Sequence, residues 1–492
     1  MGGLSAAAHL SAQGHRVKVF ESQSVVGGKA GRRVIDGFRF DTGPTLLTMP
    51  EVIRRAFSAV NASFDQQIEL LALQPETRYF FANGRRFDCV RDAQQTAAHI
   101  DAMLVAKGEG ARYREFLKYA ERVWSHASEP YLEAPFTGYL GFMGRVMKRG
   151  FGAARLGHSL GTLNTLAEQM FVSDELRAFV ARFATYVGGD PAKTSAAYAN
   201  IAHLECTHGA THPRGGMAAI AYALADSIKK AGVEIVCGAV VEQVLFSHDR
   251  VHAVKVRGAE RVYPAQVVIV NVDPLTAART CLSTVARALD VPTLAQRERS
   301  VSCYALLLGV EGGVGDLAHH NVYFPGKYAD EFDAIYSHMR VCDEPTVYVN
   351  VPSVTETQGV SPAGCHSLFA LINAPATGDR HEQWCDDSAV VQRIDRTIVQ
   401  RINELVPGIA ERIIVRSRVT PMDIEALGSV GGAIYGEAPH GPSAPFRRPK
   451  QRVEGVKGLY LVGGSVHPGG GVPMVTLGGE FAAKLAARDF AS

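Results

Sequence analysis

Hydrophobic and polar positions switch between a helical and a strand period along this 492-residue chain. Residues 2–12 are rich in alanine, leucine and glycine and read as a helix that Gly14 ends. Residues 17–21, Val-Lys-Val-Phe-Glu, follow as a short buried strand. An amphipathic helix is predicted over 218–230, closed by Gly232, with strands at 233–236, 240–244 and 251–256, the last two as a hairpin. A buried strand is expected at 267–271. Further strands are expected at 304–310, 346–351 and 367–373, and a helix with apolar residues at i, i+3, i+4 and i+7 over 390–405. Near the C-terminus a strand at 458–462 runs into a glycine-dense loop and a helix over 475–490.

Alternation of this kind predicts an α/β protein. A Rossmann-like dinucleotide-binding domain is expected to be discontinuous, built from 1–70, 208–280 and 415–492. A mixed α+β substrate domain takes 71–120 and 281–414, and 121–207 is helical. Within that helical part, 135–167 contains no acidic residue. Its apolar side chains (Phe136, Tyr139, Leu140, Phe142, Met143, Val146, Met147, Phe151) alternate with Arg145, Lys148, Arg149 and Arg155. Such a segment suits contact with a membrane surface, and equally a lid packed on the body.

Composition narrows the classes. Hydrophobic residues make up 47% and charged residues 20%, with a net charge of +2, so nucleic acid is not an expected partner. The 8 cysteines show no C-x-x-C pair and the 17 histidines no ligand spacing, so no metal site is expected. On a regular element the adjacent His319-His320 pair would point its rings apart. No apolar run reaches membrane-spanning length. The expected localisation is cytoplasmic, at the membrane periphery.

The candidate chemistry is that of a dinucleotide. Gly2 and Gly3 open a helix, and Glu21 ends the next strand about 20 residues on, which is the second half of a dinucleotide-binding unit. Glycines admit a pyrophosphate, the helix N-terminus supplies positive potential, and the acid accepts hydrogen bonds from a ribose. The first strand and its glycines are missing. Met1 is therefore expected to be an internal methionine, with the true start roughly ten residues upstream, the length of a short strand plus those glycines. Gly27-Gly28-Lys29 forms a tight loop that could face phosphates or serve as a surface turn. Asp41-Thr42-Gly43-Pro44 makes a stiff turn. In the C-terminal loop, Gly463 and Gly464 begin and Val472, Pro473 and Met474 end a stretch suited to close approach by a flat ring system.

These residues carry a resemblance. With Gly2-Gly3, Glu21, Gly27-Gly28-Lys29 and Asp41-Thr42-Gly43-Pro44-Thr45 come Phe183 to Pro191, Pro213-Arg214-Gly215-Gly216-Met217, Asp343-Glu344-Pro345, Thr420-Pro421-Met422-Asp423 and the loop from Gly463 to Met474. Together they resemble the bacterial phytoene-desaturase type of carotenoid desaturase, within the FAD-dependent amine-oxidase-like group. The resemblance implies FAD, with adenine-side contact from the strand at Val241. It also implies a long apolar polyene drawn from a membrane, with quinone or oxygen as final electron acceptor. Lys29 stands where the family usually has arginine, which keeps the charge and loses the bidentate donor.

No catalytic acid/base pair is assigned, although His467 and Asp423 lie near the flavin loop in sequence. Phytoene or diapophytoene are the first substrates to consider, and a hydroxy- or methoxycarotenoid 3,4-desaturation is the alternative. An amine oxidase and a retinol-saturase-like reductase stay open on the same fold.

Overall fold

The computed structural model describes residues 1–104, 108–132, 134–136, 138–148 and 161–491. The chain opens with α1 (Gly2–Ala12), turns at Gly14 with φ 83°, and enters β1 (Lys18–Phe20). Then come β2 (Thr77–Phe81), β3 (Arg86–Cys89), α2 (Tyr139–Lys148) and α3 (Met217–Lys230). Strands β4 (Glu234–Val236), β5 (Val241–Ser247), β6 (Arg250–Val256) and β7 (Val268–Val270) follow. Next are β8 (Ser302–Glu311), β9 (His320–Phe324), β10 (Val347–Asn350), β11 (Cys365–Ala374), α4 (Ala389–Leu405) and β12 (Ile413–Val419). β13 (Leu459–Leu461) and α5 (Val472–Ala491) end the chain. The elements expected from periodicity are present, with ends shifted by up to three residues, as is usual where helices and strands fray.

Two parallel strand pairs form the first unit. β1 pairs with β4, and β7 with β13. No strand pairing joins β1 to β7 among the described residues, and a cavity lined by Leu10, Val17, Val19, Val267 and Ile269 runs between them. Helix α1 is held against α5 at near-backbone contact. A Cβ on Gly479 would lie 2.3 Å from the Gly2 carbonyl oxygen, and Ser5 Oγ donates to the Thr476 carbonyl at 2.7 Å. Leu4, Ala7 and Ala8 share an apolar core with Ile220, Leu224 and Ile228 of α3.

The second unit is a seven-stranded sheet in the order β12-β8-β11-β10-β9-β2-β3, antiparallel except for β9 with β2. One face carries Leu306, Leu308, Val349 and Ala370, packed on Val391, Ile394, Ile398 and Ile402 of α4. Alternation turns the other side chains to the opposite face. There Ala305, Leu307 and Phe369 meet Phe38 and Phe40, while Tyr79, Phe87 and Val322 meet the helical part through Phe179 and Phe116. This second face runs from the first unit to the helices that carry Phe116 and Phe179, and it positions the site.

Candidate flavin site

A cavity of about 2120 Å³ opens along the C-terminal ends of the parallel strands and reaches the seven-stranded sheet. It is lined by Gly2, Gly3, Glu21, Gly27, Gly28, Lys29, Thr42, Gly43, Pro44, Val241, Gly463, Gly464 and Val472, so thirteen of the sequence-predicted residues meet there. Asp41, Pro473 and Met474 do not line it.

Each wall has a local cause. The N-terminus of α1 has no side-chain cap of its own, and instead the Gly3 amide donates to Asn271 Oδ1 at 2.6 Å, directly after β7. Glu21 leaves the end of β1, and its Oε1 accepts from the Gln23 amide at 2.9 Å. The paired-glycine loop bends at Gly27 (φ 123°) and Gly28 (φ 59°), a backbone that other residues rarely adopt. No atom lies within 4 Å of the place where a Cβ on Gly28 or on Gly471 (φ 100°) would stand, so both keep the cavity open. Gly43 has a different duty. A Cβ there would sit 2.0 Å from the Lys29 carbonyl oxygen, so its bareness lets the two loops touch.

Lys29 reaches across the site, its Nζ donating to the Ile434 carbonyl oxygen at 2.8 Å. Burial pushes its ammonium down to about 8, against the pull of Asp273 and Cys303. Asp41 turns away from the cavity and serves α3. Its carboxylate accepts from the Met217 amide at 3.0 Å and the Ala218 amide at 3.4 Å, and a Cβ on Gly216 would fall 2.6 Å from Asp41 Oδ2. The Pro213-to-Met217 stretch is thus a carboxylate-receiving turn, since the Gly215 amide likewise donates to Glu356 at 3.1 Å.

Neither residue weighed as an acid or base is free for that task. His467 is 1% exposed, its ring 4.5 Å from that of Tyr131 and stacked on Phe481, and burial pushes its imidazole down to about 3. Asp423 lines the cavity, but its Oδ2 accepts from the Thr420 amide and hydroxyl, both at 2.8 Å, while Oδ1 meets Arg33 at 3.1 Å.

Other contributors had no sequence signal. Arg448 is buried and its Nη1 holds the carbonyls of Tyr435 (2.8 Å) and Gly464 (2.9 Å), which fixes the C-terminal loop. The Tyr435 ring lies where a Cβ on Gly470 would fall, 2.3 Å from Cδ1. Asn271 stands just past its strand and could have been found only by pairing it with Gly3.

A dinucleotide bearing a flat ring fits this lining. A helix N-terminus, glycines with open space beside them, an acid at a strand end and a nearby lysine supply what pyrophosphate, ribose and ring require. Glu21 would hold the ribose, the α1 N-terminus and the Gly27–Lys29 loop the phosphates and ring edge, and the Gly463–Val472 loop the ring face.

Known proteins agree with that reading. The profile of the flavin containing amine oxidoreductase family matches residues 1–487. The chain is 32% identical to the phytoene dehydrogenase of Streptomyces griseus, with 98% of this chain and 93% of that protein covered. It is 30% identical to the 4,4'-diapolycopene oxygenase of Methylomonas sp (98% and 95% covered). It is also 30% identical to the 1-hydroxycarotenoid 3,4-desaturase of Flavobacterium sp. (98% and 96%). Among solved structures, putrescine oxidase shares the fold at a TM-score of 0.64 with 15% identity, covering 100% of this chain and 97% of that one. The chain belongs to the flavin containing amine oxidoreductase family and, within it, to the group of the bacterial carotenoid desaturases.

Proposed function

We propose that this protein is an FAD-dependent desaturase of a C30 or C40 carotenoid polyene, phytoene being the first candidate. The observation that carries the reading is the meeting of the glycine-lined cavity with an apolar sheet face at Pro44, Leu371 and Val419. Bound FAD supplies a two-electron acceptor for hydride. The chain's own work is to hold the polyene in register and keep water out. The Leu371 and Val419 side chains on that wall offer no polar group to a hydrocarbon. Diapolycopene oxygenase and phytoene dehydrogenase, the names of two relatives, both concern carotenoids, which supports the substrate class.

Docking on a lipid surface completes the reading. Helix α2 buries Phe142 and Val146 against Phe136 and Phe446, and exposes Leu140 (91%), Met147 (73%), Tyr139 and Met143. Lys148 ends the helix. The expected residues Arg149, Phe151 and Arg155 lie outside the described residues. No helix among the described residues is long and apolar enough to cross a membrane, so surface contact by α2 is the proposed route for the substrate. Electrons then pass to a membrane quinone or to oxygen.

The test is expression in a phytoene-accumulating host, with carotenoids separated by chromatography. Coloured products with longer chromophores support the reading. Unchanged phytoene beside flavin-loaded protein removes phytoene as substrate and directs the same assay to oxygenated polyenes. Vesicle flotation tests the docking: Leu140→Glu with Met147→Glu is expected to abolish it, and undiminished flotation would refute a role for α2.

A further inference from the structure

Beside the cavity wall stands a buried hydrogen-bonding group that a hydrocarbon substrate has no use for. Leu371, which lines the cavity, is paired across the strands with Tyr348. Thr45, one residue past cavity-lining Pro44, meets the Tyr348 hydroxyl at 2.6 Å. That hydroxyl is 2.6 Å from His320 Nδ1, and Asn350 Nδ2 approaches the same nitrogen at 3.3 Å. Tyr348, His320 and Asn350 all turn to the sheet face that continues from the cavity, one to two strand spacings of about 5 Å from Leu371.

The partners favour one tautomer. An amide NH₂ can only donate, so His320 Nδ1 accepts, and Tyr348 donates to it while accepting from Thr45. The ring proton then sits on Nε2. His320 is 1% exposed, and its Nε2 has no hydrogen-bond partner among the described residues. Nor have Nε2 of His319 (3% exposed) and Nδ1 of His212 (1%). The three rings form one file, tilted or edge-on to one another, with centroids 4.6 Å apart at each step. Burial holds the His320 imidazole down at about 3, so it is a neutral donor at ordinary pH. A buried ring nitrogen without a partner is costly, and a group of them beside the cavity calls for a polar guest.

We propose that Thr45, Tyr348 and His320 form a subsite for an oxygen-bearing end of the polyene, with His320 Nε2–H donating to a hydroxyl, ether or carbonyl oxygen. The inference rests on the desaturase reading and makes it more specific. The oxygen anchors the chain end while a bond a few carbons away lies at the ring side of the cavity. His320 is the specificity-determining donor, and Tyr348 is a positioning residue that keeps Nδ1 occupied.

The experiment compares hydroxyneurosporene with neurosporene on the FAD-loaded protein, in binding by quenching of flavin fluorescence and in kcat/KM by chromatography. The wild type is expected to favour the hydroxylated polyene by about fivefold to tenfold, the worth of one neutral hydrogen bond. His320→Phe should bring the ratio to about one, and His320→Gln, which returns a donor, should restore part of it. Equal use of the two polyenes by the wild type, or a preference that survives in His320→Phe, overturns the subsite. If His320→Phe fails to hold flavin, Tyr348→Phe decides in the same direction. If neither polyene is desaturated, the desaturase reading falls, while the binding ratio still judges the subsite.

Discussion

The Lys29 ammonium donates to the Ile434 carbonyl oxygen across 2.8 Å, tying the first glycine loop to a segment 405 residues later. The sequence marks Lys29 as a cation beside paired glycines. Only the fold shows that it is half-buried at the junction of flavin cavity and sheet. Its ammonium is held down at about 8, chiefly by burial, whereas in the unfolded chain it titrates near 10.4. Between those values the unfolded chain binds more protons, so stability rises with pH there and is flat below about 8. In flavin-free protein the urea midpoint should climb from pH 8 to 10, relative to Lys29→Met. Parallel pH profiles for the two proteins would refute a depressed Lys29.

Glu356 predicts the opposite slope. Burial alone would raise its carboxyl, but hydrogen bonds from His212 (3.0 Å), Arg39 (2.5 Å) and the Gly215 amide hold it down at about 2. Its contribution is therefore complete above the unfolded carboxylate value and fades as pH falls from about 4.3 towards 2. Glu356→Gln should flatten that acid limb, and at pH 7 it should cost about 3–5 kcal/mol by leaving Arg39 without its partner. Denaturant titration from pH 2.5 to 7 checks both.

Gly28 and Gly471 separate flavin binding from folding. Both have left-handed backbone and open cavity beside them. Valine at either position strains the backbone by about 1–2 kcal/mol and puts branched carbons into the cavity. Flavin retention on gel filtration should fall sharply while the far-ultraviolet dichroism stays native. Full flavin occupancy in both variants would argue against a flavin at these loops.

Gly479 tests the opposite case. Its place against the Gly2 carbonyl leaves no room for any Cβ, and that contact joins α1 to α5 by backbone. Gly479→Val should lower stability by roughly 1–3 kcal/mol or more, as overpacking does. Thermal unfolding with flavin in excess measures it, and an unchanged midpoint would show that the helices separate at little cost.

Much of the site was legible because its chemistry is local. Glycines at loop apices, a small-residue helix and an acid closing a strand are consequences of spacing, so Gly2, Glu21, Gly28 and Gly463 were readable and do line the cavity. The hydrophobic periods likewise gave the helices and strands. The sequence marks Asp41 as a ligand contact, but the structure has it capping α3, because a buried carboxylate at the end of its strand takes the nearest amides, and those lie 176 residues away. The His319 and His320 rings were expected to diverge, yet their centroids are 4.6 Å apart with planes inclined by 72°. His319 precedes the strand, so alternation does not govern it.

By itself, then, the sequence determined the periods, the glycine loops and their family likeness, since backbone conformation answers to neighbours along the chain. The tertiary structure alone decided that Asn271 caps α1, that Arg448 fixes the C-terminal loop, and that Thr45, Tyr348 and His320 share one hydrogen-bonded group beside the cavity. Each of those depends on which distant segment supplies the partner once water is excluded, and no local spacing encodes it.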